Sequence, residues 1–151
     1  MARAHNLHIL SIGYEGASLP TFVATLKANR IRQVLDIREF PNSRRKGFSR
    51  TALSRALAKA GIVYAHERAL GTPRWLRQRL REGRDYNAFR KDFRKHLAGQ
   101  RKVLDGLAQT ATGRMVLLCY ERNPAECHRS IVAAALARRT GSPVDHVDVS
   151  P

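Results

Sequence analysis

The chain has 151 residues, 43% of them hydrophobic and 26% charged, with 28 Lys and Arg against 12 Asp and Glu, a formal net charge of +16. That size fits one domain with its own core, and the composition excludes collagen-like, low-complexity and membrane-spanning chains. The charge favours polyanionic partners, nucleic acid or a phosphate-containing small molecule, and two cysteines are too few for a disulfide framework.

Strand and helix signals alternate along the chain. Residues 7–12 (LHILSI) are a short apolar run closed by glycine, the pattern of a buried strand. Ser18 caps a helix with Pro20 in its first turn and Phe22 and Leu26 on one face. Residues 33–40 (QVLDIREF) read as a second strand, stopped by Pro41. Ser49 then caps a helix carrying Leu53 and Leu57, and Gly61 ends it. Residues 62–67 (IVYAHE) are a third strand.

A basic insertion follows over about residues 68–113. It begins irregularly and turns helical from Asp85, where Phe89, Phe93 and Leu97 form an apolar stripe. Residues 101–110 predict a further helix, and 114–121 (RMVLLCYE) the most buried strand. The segment NPAECHRSIVAAALARR opens with an Asn cap and a proline, so it predicts one helix from near Pro124 to Gly141. Residues 144–149 are a weak fifth strand. This alternation predicts an α/β fold: one domain over residues 1–151, with a mostly parallel sheet of about five strands and helices on both faces. No segment reads as a signal peptide, so the expected location is cytoplasmic. In that compartment the cysteines are expected as thiols, ligands or core residues, with a Cys119–Cys127 disulfide as the other option. Nothing in the sequence sets an oligomeric state.

Ligands of an open parallel sheet bind outside the carboxyl ends of its strands. The first predicted strand delivers Tyr14 and Glu15 there, within GYEG. The second delivers Asp36, Arg38 and a basic loop with Ser43 and Arg44; the third delivers Tyr64 and His66. The fourth delivers Cys119, Tyr120 and Glu121, followed by Glu126, Cys127, His128 and Arg129. A carboxylate on an apolar strand needs a partner. Asp36 and Arg38 are therefore either a structural ion pair or an anion-binding arginine oriented by an acid–base carboxylate. GYEG is neither the dinucleotide fingerprint nor a Walker A loop. A phosphatase loop finds little support in the spacing: six residues after Cys119 and Cys127 stand Ala125 and Ala133, not arginine.

Five segments in order, GYEG, LDIREFPNSR, GF before a helix, GIVYAHERALG and LLCYERNPAECHR, resemble the Domain of Unknown Function 488 family over about residues 11–137. The resemblance implies a compact α/β domain and no particular reaction. It marks Gly13, Tyr14, Glu15, Gly16, Asp36, Arg38, Pro41, Ser43, Arg44, Tyr64, Leu70, Gly71, Cys119, Glu121, Cys127, His128 and Arg129 as characteristic positions. It lends the basic insertion no support.

Three functions are carried forward. The first is a hydrolase-like or base-directed enzyme acting on a phosphate-bearing substrate without a cofactor. Its acid–base and nucleophile candidates are Glu121, His128, Asp36, Glu15 and Cys127; its substrate-binding candidates are Tyr14, Arg38, Ser43, Arg44, Tyr64 and Arg129. The second is a non-catalytic nucleic-acid-binding module using Arg74, Trp75, Arg77, Arg90 and Arg94 of the insertion. The third is a Cys/His metal or redox protein. Against a metal stands the expectation that Cys127 and His128, as neighbours on a helix, point apart.

Overall fold

The computed structural model describes residues 6–149. Its five strands are β1 (His8–Gly13), β2 (Gln33–Asp36), β3 (Val63–His66), β4 (Arg114–Cys119) and β5 (Val144–Val147). All neighbours pair in parallel, in the order β3-β2-β4-β1-β5. The helices are α1 (Leu19–Ala28), α2 (Arg50–Lys59), α3 (Arg74–Gly83), α4 (Tyr86–Ala98), α5 (Arg101–Thr110) and α6 (Arg129–Thr140). This is an α/β fold with the sheet between two helical layers.

Side-chain alternation on β4 divides the core. Val116 and Leu118 face a cluster with Phe22 and Leu26 of α1 and Leu53 and Leu57 of α2. Met115 and Leu117 face the other way, onto Leu76 of α3, Phe93 of α4, Leu104 of α5 and Leu136 of α6. Right-handed crossovers give this split. The chain leaves β1 and β2 toward one face and returns from β3 and β4 on the other. Adjacent strands β2 and β4 thus send their following helices to opposite faces, and a crevice opens between their carboxyl ends.

Three elements depart from the sequence expectation. The stretch expected to be irregular contains α3, whose buried face is only Leu76, with Leu80 packed partly against the core. Five arginines between residues 74 and 84 masked that narrow stripe. The second strand stops at Asp36, whose Oδ1 accepts from the Arg38 amide at 3.2 Å. The expected helix from Pro124 is two pieces: a 3-10 turn (Pro124–Glu126), then α6 from Arg129. Between them Cys127 is extended, with φ −142° and ψ 155°.

Candidate functional site

The crevice holds a hollow of about 200 Å3 lined by Arg38 and Glu39 after β2, Arg77 of α3, and Cys119, Glu121, Cys127 and His128 at and beyond the end of β4. Two glycines let its walls close. A Cβ on Gly13 would collide with the Glu121 carbonyl, and one on Gly71 with the Glu39 backbone. The Glu15 amide continues the β1–β4 ladder by donating to Tyr120 O at 2.9 Å.

Asp36 lies under the hollow, fully buried. Arg38 Nε donates to its Oδ1 at 2.9 Å and Nη2 to its Oδ2 at 2.7 Å, while the Tyr64 hydroxyl donates to Oδ2 at 2.5 Å. Arg38 Nη1 donates to Phe48 O at 2.7 Å and to the Tyr14 hydroxyl at 3.3 Å. Burial and the bond to Asp36 hold the Tyr64 phenol well above its ordinary range. Tyr14 is itself buried and stacks on Phe48, with ring centroids 4.4 Å apart. In this arrangement Arg38, Tyr14 and Tyr64 form a scaffold around Asp36 rather than a free anion grip.

Arg129 is also inward-facing. Fully buried, it donates from Nε to Ser11 Oγ at 3.0 Å, from Nη1 to Cys119 Sγ at 3.2 Å and to the Glu121 carbonyl, and from Nη2 to the Arg122 carbonyl at 2.9 Å. It holds the chain leaving β4 in a loop. Burial lowers its pKa to about 10. His128 Nε2 sits 2.8 Å from the Ile37 carbonyl, and burial lowers this imidazole to about 4. At neutral pH His128 is therefore neutral, with its proton on Nε2 and its lone pair on Nδ1.

Glu121 lines the hollow and takes part in no ion pair among the described residues. Burial raises its carboxyl above the ordinary range, and Arg129 only partly opposes this. Across the hollow, Arg77 Nη2 donates to Glu39 Oε1 at 2.9 Å, while its buried Nε has no partner among the described residues. The rim is aromatic: Phe40 and Tyr120 are each 46% exposed. Arg68 and Arg77 stand over the Phe40 ring at 4.7 and 5.9 Å, and Arg79 over the exposed Trp75 at 5.8 Å.

Other predicted site residues are not brought here. Glu15 accepts from the Arg122 amide at 3.0 Å beside a separate depression that includes His146 and Asp148. Ser43 Oγ accepts from the Arg45 amide, and Arg44 is exposed on the same loop. Beside that loop a wider depression is lined by Leu19, Pro20, Arg45 and Lys46; it contains no carboxylate to move a proton. Of the insertion residues, Arg77 reaches the hollow. Arg90 donates to the Ala125 carbonyl at 2.9 Å, and Arg74, Trp75 and Arg94 are exposed. The sequence reading missed Glu39 and Phe40 as site residues, and carried Gly71 only as a characteristic position of the family resemblance. Phe40 carried one signal: a large apolar side chain at the predicted ligand edge, just before Pro41.

Residues 18–136 match the family model described as a domain of unknown function, DUF488. The chain belongs to this family. The match takes in β2 to β4 and most of α6, so every DUF488 residue lining the hollow lies within it, while GYEG lies ahead of it. No curated protein and no solved structure matches the chain.

Cys119 and Cys127 complete the wall. Their sulfurs are joined as a disulfide, the option the sequence left beside thiols, ligands or core residues, and their Cα atoms are 7.6 Å apart. Cys127 Sγ is 3.5 Å from His128 Nδ1. The two neighbours were expected to diverge on a helix. They converge because Cys127 is extended and α6 starts only at Arg129.

Proposed function

We propose that the protein is an enzyme acting on a phosphate-bearing substrate, a nucleic acid or nucleotide, with base-directed or hydrolytic chemistry in the hollow between β2 and β4. One observation carries this reading: the partnerless Nε–H of Arg77 and the carboxyl of Glu121 line the same hollow. A buried donor without an acceptor is costly, and a substrate oxygen would supply one. The guanidinia that line the hollow are already taken up, Arg38 by Asp36 and Arg77 in part by Glu39, and Glu121 shares the lining. Phosphate therefore belongs at the rim, near Arg77 and Arg68, while a base or sugar enters. Phe40 and Tyr120 offer stacking faces at the entrance. Glu121 then exchanges a proton with the entering group.

The exposed Trp75 under Arg79 favours a second role for the basic insertion, gathering a single strand beside the hollow. The two roles are compatible in one protein.

The test is a panel of labelled single-stranded DNA and RNA oligonucleotides and nucleoside monophosphates, with base release or cleavage read by mass spectrometry. Glu121→Gln should lower turnover about a hundredfold or more. Oligonucleotide binding should weaken with salt, at a log–log slope of about −0.7 per phosphate contacted. Full turnover by Glu121→Gln would refute the catalytic assignment. No product and a flat salt dependence together would refute the substrate class.

A further inference from the structure

We propose that, once the Cys119–Cys127 bond is reduced, Cys119, Cys127 and His128 bind one thiophilic divalent cation of the zinc class at the wall of the hollow, through two sulfurs and Nδ1. The three ligand atoms lie within 4.8 Å of one another, and all three residues are buried. The inference stands on this geometry and does not depend on the role given to Glu121.

The spacing fits a shared ion. Two ligands at zinc–sulfur and zinc–nitrogen distances of about 2.3 and 2.0 Å in a tetrahedron are about 3.5 Å apart. Cys127 Sγ and His128 Nδ1 are 3.5 Å apart. The backbones carrying the two sulfurs have Cα atoms 7.6 Å apart, beyond the roughly 4.4–6.8 Å usual for directly bonded cysteines. Two thiolates held through a third atom suit that span. Seating the ion requires a thiol reductant to open the Cys119–Cys127 bond, supplying two electrons, after which the freed sulfurs swing apart to about 3.7 Å by side-chain rotation.

The surroundings orient both sulfurs and the imidazole. Arg129 is fully buried and donates from Nη1 to Cys119 Sγ at 3.2 Å, which fixes that sulfur at the wall. The Arg129 amide donates to Cys127 Sγ at 3.5 Å. The Ile37 carbonyl holds the proton on His128 Nε2, which leaves the Nδ1 lone pair to the ion. Such an outer hydrogen bond is what fixes a metal-ligating imidazole. Three protein ligands leave a fourth position, which opens to the hollow.

The experiment uses the full chain, reduced and stripped of metal, and titrates it with Co2+ and Zn2+ alone. One equivalent of Co2+ should bring thiolate-to-cobalt charge transfer and tetrahedral d–d bands, and Zn2+ should displace it. Cys127→Ser, and separately Cys119→Ser, should weaken Co2+ binding by more than the roughly 10–100-fold typical of losing an outer partner. Circular dichroism checks that each variant is folded, and a thiol count checks reduction. If the reduced, folded wild type binds no Co2+, the proposal is overturned and the pair is a redox dithiol or simple core. Binding that survives both substitutions overturns it equally. None of these readouts involves turnover, so they separate this proposal from the enzymatic one.

Discussion

Asp36 has no exposed surface, yet three donors converge on its carboxylate: the Arg38 guanidinium, the Arg38 amide and the Tyr64 hydroxyl. Removing one partner of such a pair leaves an uncompensated buried charge, which costs more than the pair itself contributes. Asp36→Ala should therefore destabilise the protein by about 3–5 kcal/mol in urea denaturation. A loss under about 1 kcal/mol would mean that Arg38 finds other compensation. Spacing along a strand gave both readings of this pair, since an anion grip and a scaffold need the same two-residue interval. What separates them is the Phe48 carbonyl and the Tyr14 hydroxyl, which reach Arg38 from other segments. No local pattern carries that information.

At the scale of elements, periodicity and caps were enough for the five strands and most helices. Ser18 accepts from the Thr21 amide at 3.3 Å, as its position before Pro20 implies. Phe89, Phe93 and Leu97 form the buried face of α4. The failures share a cause: the site is built where the chain breaks its own pattern. Charge obscured α3, and the Asn-Pro start concealed the extended residue at Cys127. The backbone crossing at Gly71 also left no trace in spacing. It sits three residues before α3, against the Glu39 backbone, so it fixes how closely Arg77 approaches the hollow. Gly71→Ala should cost about 1–3 kcal/mol by overpacking, seen as a lowered Tm. It should also move the Arg77 Nε resonance, which a purely local strain would leave in place.

The whole molecule answers to pH through two histidines, buried His128 and the more exposed His146. Burial lowers His128 to about 4 and lowers His146, whose Nδ1 is 2.5 Å from Ser11 Oγ. Both therefore have a folded pKa below their ordinary value near 6.5. The unfolded chain takes up protons that the fold refuses, so stability is full above about pH 6.5 and falls with acidification; for His128 the fall continues to about pH 4. Urea midpoints measured from pH 7.5 to 4.5 should decline, and His146→Gln should flatten the decline. Midpoints that rise toward pH 5 would contradict the assignment. Strand order has a further consequence, for the timing of assembly. β1 pairs with β4 and β5, and with no earlier strand. On a growing polypeptide its ladder partners first emerge a hundred residues later. Until then an apolar segment must wait without neighbours, so the sheet closes late in translation, and in vitro collapse is slowed by the same long-range pairing.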